Sequence, residues 1–326
     1  MTHDATILTH LRRVADTGVS GAALASILGV SRAAVWARIE ELRRLGYEIE
    51  ASPHRGYVLR AVPNVLHADD LLARLGKIRI IGRDLRVFHE TTSTNDVIER
   101  LAIDGVAEGI LVFAETQTAG RGRLGRHWIS PPGLGLWFSV LLRPKLSPMA
   151  TTQLTVASAV AVARAIESQT QLKPQIKWPN DIILNGRKVC GILTELSAEM
   201  DRIRYVTLGI GLDVNQTRDD LPPELLAIAT SLRIESGRTH PRANLALALI
   251  HELDEVYHRV NSGGFARISD DWASRCNTLG ERIRVRSGDR TIRGTAEALD
   301  DEGALLLRTE HGRLERILGG DVTIEK

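Results

Sequence analysis

Three stretches of the chain hold residue types that could work on an anionic ligand. The segment QTAGRGRLGRHW, Gln117 to Trp128, puts three glycines and three arginines into twelve residues. Glycine lets backbone N–H groups come close to a ligand. Arg121, Arg123 and Arg126 offer forked donors that match phosphate or carboxylate. The segment lacks the Gly-Lys-Ser/Thr ending of a P-loop and opens no evident helix, so neither standard phosphate-loop pattern fits. A solvated loop is the plain alternative.

The second stretch is KWPNDIILNGRKVCGILTEL. Asn185–Gly186 is a strong hairpin signal, which sets Lys188 at the start of an apolar strand. A cation there needs a partner, either an anionic ligand or a neighbouring carboxylate. Asn180 and Asp181 follow Pro179 in a turn, where they could hold a metal–phosphate group or only shape the chain. Cys190 lies two residues from Lys188, but no His or Asp stands in a readable arrangement to activate it as a nucleophile.

In the third, HETTSTNDVIERLAI, Ser93 is placed to cap a helix, with Asp96 three residues on. The N–H groups at that helix start, beside the hydroxyls of Ser93 and Thr94 and the amide of Asn95, could hold a ligand oxygen or serve only as a cap. Further on, YVTLGIGLDVNQT closes a strand with Gly209 and Gly211, then offers Asp213 and Asn215. Glycines in a strand read either as close approach by another group or as a bulge.

These stretches lie within residues 67–270, where apolar, β-rich runs alternate with helical patterns. Helices are expected over Asn95–Ile103, Thr151–Ser168 and Arg242–Val260, around one sheet of an α/β or α+β domain. Residues 278–326 read as short strands broken by the turns SGDR, DDEG and EHG, a small antiparallel barrel.

Residues 1–62 read as a winged helix-turn-helix. Ile7, Leu11 and Val14 share one helix face, as do Leu24, Ile27 and Leu28. Gly29 stops the second helix and Ser31 caps the third, along which Val35, Ile39 and Leu42 recur. The second helix of such a pair enters the DNA major groove by its N-terminal residues. Ser31, Arg32, Ala33, Trp36 and Arg38 are the candidate base readers, with Arg43, Arg44 and Arg55 nearer the phosphates. Residues 1–60 hold eight Lys and Arg against six Asp and Glu, so turn, cap and wing carry this reading rather than charge.

The chain has 326 residues, enough for two or three domains. Its net charge of +2 gives no global pull toward nucleic acid or membrane, so any basic site is local. The sequence shows no membrane span and no signal-peptide layout at the N-terminus MTHDATILTH. Cys190 and Cys276 form no metal-binding spacing, and a reducing cytoplasm is the expected location.

TTSTN, QTAGRGRLGRHW, KWPND, GRKVCGIL and GLDVN, in that order, resemble the biotin–protein ligase family. With the helix-turn-helix ahead of them, the likeness is to its bifunctional bacterial branch, biotin ligase and biotin-operon repressor. The resemblance covers nearly the whole chain and implies an α+β multidomain protein: winged helix-turn-helix, mixed-sheet ligase domain and SH3-like C-terminal barrel. It implies that ATP and Mg²⁺ activate biotin to biotinyl-5′-AMP, which then acylates a lysine of a carboxyl-carrier protein. By the same likeness, Ser93, Thr94, Asn95 and Gln117 hold the biotin head, while Arg121, Gly122 and Arg123 close over the adenylate. Lys188 neutralises the biotin carboxylate and α-phosphate, which makes Lys188 and Arg123 the catalytic pair. Asn180 and Asp181 take the ATP side, Asp181 toward Mg²⁺, and Asn215 contacts the nucleotide.

One departure stands out: the family often has Asn where this chain has Asp213. The likeness further implies operator DNA of biotin synthesis genes as a partner, with a homodimer formed when adenylate is bound. Since a mixed anhydride hydrolyses in water, a GRGRLGR lid mobile without ligand and ordered over adenylate is expected. The neighbouring readings are a lipoate or octanoate ligase and a ligand-sensing transcription regulator without ligase activity.

Overall fold

The computed structural model describes residues 2–14, 17–199 and 202–325. Two compact units divide the chain at Lys77. The first holds helices α1 (His3–Val14), α2 (Gly21–Leu28) and α3 (Arg32–Arg44), the hairpin of β1 (Glu48–Ser52) and β2 (Gly56–Ala61), and α4 (Ala68–Leu75).

Helix α2 ends where Gly29 turns left-handed (φ 67°), a conformation that costs glycine least. Ser31 then caps α3 by accepting from the Ala34 N–H at 3.1 Å. The two helices meet at 102°, within the range of helix-turn-helix pairs. Ile7, Leu8 and Leu11 pack with Leu24, Val35, Ile39 and Leu42, and Tyr47 and Ile49 close the core from the wing side. Ile27, expected on the apolar face, is 47% exposed. Helix α4 packs on α1, with Asp70 taking Arg12, so the segment after Val62 continues the first unit to Lys77.

The second unit is built on a seven-stranded mixed sheet. Its members are β3 (Asp84–Thr91), β4 (Ile110–Gln117), β5 (Gly135–Leu142), β6 (Gln175–Lys177), β7 (Asp181–Leu184), β8 (Arg187–Glu199) and β9 (Arg202–Asp213). They lie in the order β3-β4-β5-β9-β8-β7-β6, with β3 and β4 parallel and every other neighbour antiparallel. Helix α5 (Thr94–Ile103) makes the β3-to-β4 crossover. Helix α6 (Thr152–Thr170) is apolar nearly all round, and it is buried beneath α8 (Arg242–Asn261) and α9 (Phe265–Arg275). Such a helix belongs in a core. The short α7 (Leu232–Ser236) leads into α8.

The same unit carries an antiparallel sheet of β10 (Arg282–Ser287), β11 (Arg290–Leu299), β12 (Leu305–Thr309), β13 (Leu314–Ile317) and β14 (Asp321–Ile324), ordered β13-β12-β11-β10-β14. Along β10, Ile283 and Val285 point inward, which turns Arg282, Arg284 and Arg286 to the opposite face. The Gly303 turn of this sheet presses on the start of α6: a Cβ there would meet the Gln153 nitrogen at 2.9 Å. Both cysteines are free thiols.

Candidate active site

The twelve-residue glycine–arginine stretch is an irregular hairpin running on from β4. Gln117 bridges Ser130 and Arg121 bridges His127, while Gly120 accepts from the Trp128 N–H at 2.8 Å. Its tip turns at Leu124 and Gly125, both with positive φ. The expectation of no regular helix holds apart from a single 3₁₀ turn, Arg123–Gly125.

The inner wall of this hairpin is Trp128, whose indole lies over β8 and β9 at Gly191 and Gly211, neighbours across the sheet. A Cβ on Gly211 would sit 2.5 Å from the ring, and one on Gly191 would sit 2.9 Å from it. Close approach, rather than a bulge, therefore explains the glycine of GLD. Gly209 is spared for a different neighbour, since its Cβ would fall 2.3 Å from Asn95 Oδ1.

Two cavities meet beneath the hairpin. The smaller is lined by Ser93, Thr94, Asn95, Gln117, Arg121, Gly122, Arg123 and Lys188, among others. All eight residues assigned by resemblance to the biotin end thus line one pocket. Its polar groups are strung together. The Thr94 N–H donates to Gln117 Oε1 at 2.8 Å, and the Gln117 amide donates to Ser130 at 2.9 Å. Thr94 and Ser139 hydroxyls are 2.7 Å apart, Ser139 donates to Asn95, and Asn95 donates to Glu195 at 2.5 Å. Networks of this kind fix side chains in one arrangement when every member is satisfied.

Ser93 caps α5 as expected, accepting from the Asn95 N–H at 3.3 Å. Asp96 does not complete a capping box: it receives the Thr92 hydroxyl and the Arg121 guanidinium instead. The Asp96 hydrogen bond raises the Arg121 pKa further. The sequence did not single out Ser139 or Glu195, because nothing local marks a serine in an apolar strand or a glutamate beyond one.

The larger cavity, about 780 Å³, opens between the hairpin, the Trp178–Asp181 turn and the C-terminal sheet. Lys188 stands where the two cavities join, just past the Asn185–Gly186 turn as the hairpin signal required. Its ammonium pairs with Asp181 at 2.6 Å and lies 5.3 Å from the centre of the Trp128 ring. Of the two partners weighed for this lysine, the carboxylate is the one in place. Arg123 donates to Asn180 Oδ1 at 2.9 Å, and burial lowers its pKa. A partly desolvated guanidinium of this kind interacts strongly with an anion.

Asn215 differs from its expected nucleotide role. Its amide donates to the His240 carbonyl at 2.9 Å and accepts from the His240 N–H at 2.9 Å, so both ends tie β9 to the segment before α8. Asp213 and Gln216 line the cavity in its stead. The Gln216 amide donates to Asp213 at 2.6 Å, while its Oε1 is buried without a hydrogen-bond partner. Trp128 Nε1 is likewise buried and unpartnered. Burial pushes the Asp213 carboxyl well above the usual range against the pull of Lys188, and burial also pushes the Cys190 thiol up. A thiol so raised is no ready nucleophile.

The far wall of the large cavity carries Arg284, Arg286 and Arg293 from β10 and β11. Arg126 and Arg286 converge on Asp321, at 2.5 and 3.8 Å. No sequence motif announced that wall. Among the described residues, no group of three or more His, Cys, Asp or Glu side chains could hold a metal by itself. Asp181, the carboxylate paired with Lys188, would be enough for Mg²⁺ only when phosphates supply the remaining ligands.

In the first unit, Ser31, Arg32, Ala33 and Trp36 are exposed along the start of α3, Trp36 by 58%. Arg38 is exposed too, but it already has a partner within the unit. Its guanidinium grips the buried Asp4 carboxylate of α1 through two hydrogen bonds. Arg43 is held by Glu40 and the Ile49 carbonyl, and Arg44 by Glu41.

Three family models match along the chain: an HTH domain at 4–58, the biotin/lipoate A/B protein ligase family at 87–213, and the biotin protein ligase C-terminal domain at 278–324. The chain is 41% identical to the bifunctional ligase/repressor BirA of Bacillus subtilis, over 94% of both chains. It is 30% identical to the protein of the same name from Escherichia coli, over 94% of this chain and 92% of that one. Among solved structures, a biotin protein ligase from Aquifex aeolicus in complex with biotin and ATP matches with a TM-score of 0.64 and 32% identity, over 75% of this chain and 99% of that one. The chain belongs to the biotin/lipoate protein ligase family, in its bifunctional biotin ligase and repressor branch.

Proposed function

We propose that this protein is an ATP-dependent biotin–protein ligase that also represses transcription, with biotinyl-5′-AMP serving as both acyl donor and corepressor. The observation that carries the reading is the junction of two cavities at Lys188 and Arg123. The small pocket, with its chain of hydrogen-bonded polar groups, is assigned to the biotin head, and the large, arginine-walled cavity to the nucleotide.

Biotin carboxylate and ATP are both anions, and their encounter at the α-phosphorus is opposed by charge. Lys188 and Arg123 neutralise it, with Asp181 and Asn180 as the groups they leave when the anions arrive. The protein supplies position and charge, and no protein nucleophile is needed. Asp181, once exchanged from Lys188, is the residue that would hold Mg²⁺ arriving with ATP, and the ion would add charge neutralisation there. Ser93, Thr94, Asn95 and Gln117 orient the biotin head, and Arg121 with Gly122 closes the hairpin over the adenylate.

The acceptor is a lysine of the carboxyl-carrier domain of a carboxylase, and the setting is the cytoplasm. In the first unit, the start of α3 with Ser31, Arg32, Ala33 and Trp36 reads operator DNA of biotin synthesis genes. A homodimer formed with adenylate bound presents two such helices to a palindrome. The test is incubation with ATP, Mg²⁺, a carrier domain and either biotin or lipoate, scoring the acylated lysine by mass. Biotinyl-lysine with biotin and no acylation with lipoate is expected. Acylation by lipoate alone, or by neither acid, overturns the reading.

A further inference from the structure

Past Ala119 the glycine–arginine hairpin has no backbone hydrogen bond to the rest of the second unit, among the described residues. Thr118 and Ala119 still donate to the Thr91 and Thr92 carbonyls at 2.9 and 2.8 Å, at the end of β3. From Gly120 to His127, every hydrogen bond that leaves the hairpin comes from an arginine side chain, again among the described residues. Arg123 goes to Asn180, Arg126 to Asp321, and Arg121 to Asp96 and, at 3.6 Å, to Glu195.

The three ties differ in their surroundings. Asn180 and Asp321 line the large cavity together with Arg123 and Arg126, so both of those ties stand where a polyanion would arrive. Asp96 and Glu195 line neither cavity of the site. Arg121 does line the small pocket, but its guanidinium is turned to these two carboxylates.

Both carboxylates are themselves held. Asp96 takes Arg121 on Oδ1 and the Thr92 hydroxyl on Oδ2 at 2.9 Å. It lies in the first turn of α5, where the helix dipole favours a negative charge. Glu195 takes the Asn95 amide on the same Oε2 that faces Arg121. Through Asn95 the arrangement reaches the small pocket, which Asn95 lines. The three charged side chains are between 31% and 44% exposed. An isolated pair at that exposure contributes little, but one guanidinium shared by two carboxylates is a network, the case in which such charges count.

Resting on the ligase reading above, we propose that Asp96 and Glu195 are positioning residues that clamp Arg121. The clamp keeps the root of the hairpin shut over the small pocket while the Arg123 and Arg126 ties yield to the nucleotide, and so it sets how long biotinyl-5′-AMP is retained. The Arg121 side chain then neutralises no ligand charge; it anchors the hairpin. Because Glu195 also orients Asn95, the hairpin and the biotin head share one anchor.

The test follows the release of biotinyl-5′-AMP from the full chain, by chasing bound radiolabelled adenylate with excess unlabelled adenylate. Asp96→Asn is expected to quicken release about threefold, and Asp96→Asn/Glu195→Gln about tenfold, with the KM for MgATP within about twofold of the parent's. Arg121→Ala is expected to match that double variant, and the triple change to release no faster than either, because the same interaction is already gone. A merely structural role for the carboxylates does not produce that coupling. Parental release in both carboxylate variants would overturn the proposal. So would an Arg121→Ala effect that adds in full to theirs, which would put the guanidinium on the ligand. Should Arg121→Ala fail to fold, Arg121→Lys takes its place: an ammonium cannot fork to two carboxylates, and release between that of the parent and that of the double variant is expected, parental release again overturning the proposal. If the parent protein neither forms nor binds biotinyl-5′-AMP, it is the ligase reading that fails.

Discussion

Lys188 and Asp181 form a 2.6 Å ion pair across the β7–β8 hairpin, and Lys188 stands at the point where the two cavities of the site meet. The pair keeps the ammonium aimed at the junction before substrates arrive. Asp181→Asn should leave Lys188 in place but without its counter-charge. Biotin affinity should then rise or hold while the KM for MgATP rises about tenfold. Steady-state kinetics with each substrate varied in turn checks this, and an unchanged KM for MgATP would separate Asp181 from the metal.

Gly209 leaves room for Asn95, whose carbonyl oxygen a Cβ would approach to 2.3 Å. Gly209→Ala should push Asn95 from its contacts with Ser139 and Glu195 and weaken biotin binding by about 10-fold or more, at little cost to ATP binding. Isothermal titration with each ligand distinguishes this from general damage to the sheet.

Asp213 sits buried where its ionisation is opposed, so its folded pKa lies above that of an unfolded aspartate at about 3.9. The folded chain therefore holds this proton longer than the unfolded one. The resulting stabilisation is complete below the unfolded value and fades as pH climbs through the folded one. Asp213→Asn does not titrate. Its Tm should exceed the parent's by more at pH 8 than at pH 5, and an equal difference at both would count against burial as the cause.

Glu115 and Arg242 form a buried ion pair at 2.8 Å, and Arg242 also donates to the Gly135 carbonyl at 3.1 Å. This pins the start of α8 to β4 and β5, the strands that frame the glycine–arginine hairpin. Arg242→Ala leaves a buried carboxylate without its partner and should cost about 3–5 kcal/mol in denaturant unfolding. The double change Glu115→Gln/Arg242→Met should cost less than the single one.

In the first unit, Arg32 and Arg38 should separate cleanly. Arg32→Ala should weaken operator binding with little change in Tm. Arg38→Ala abandons the buried Asp4 and should destabilise the unit by about 1–3 kcal/mol. Paired melting and DNA titrations at fixed salt test both.

The residues that local chemistry marks were legible in the sequence. Asn185–Gly186 fixed the place of Lys188, Gly29 and Ser31 fixed the turn between α2 and α3, and the arginines and glycines of the Gln117–Trp128 segment marked one wall of the site. What the sequence hid were choices made by distant partners. Nothing near Arg38 in the sequence announces that α1 brings Asp4 beneath it. Asn215 and Gln216 follow the end of β9, where strand alternation no longer says which side chain faces the cavity. Ser139 and Glu195 join the hydrogen-bond network behind the small pocket only through sheet register, and the arginines of β10 face outward by pattern but meet the site only by packing.

The most direct test of the central claim is the formation of biotinyl-5′-AMP by Lys188→Ala under single-turnover conditions, with biotin, MgATP and no acceptor. Adenylate formation slowed by about 10²-fold or more, in a folded protein with a parental Tm, is the predicted result. Biotinyl-5′-AMP formed at the parental rate would contradict the claim that the cation at the junction of the two cavities drives the reaction.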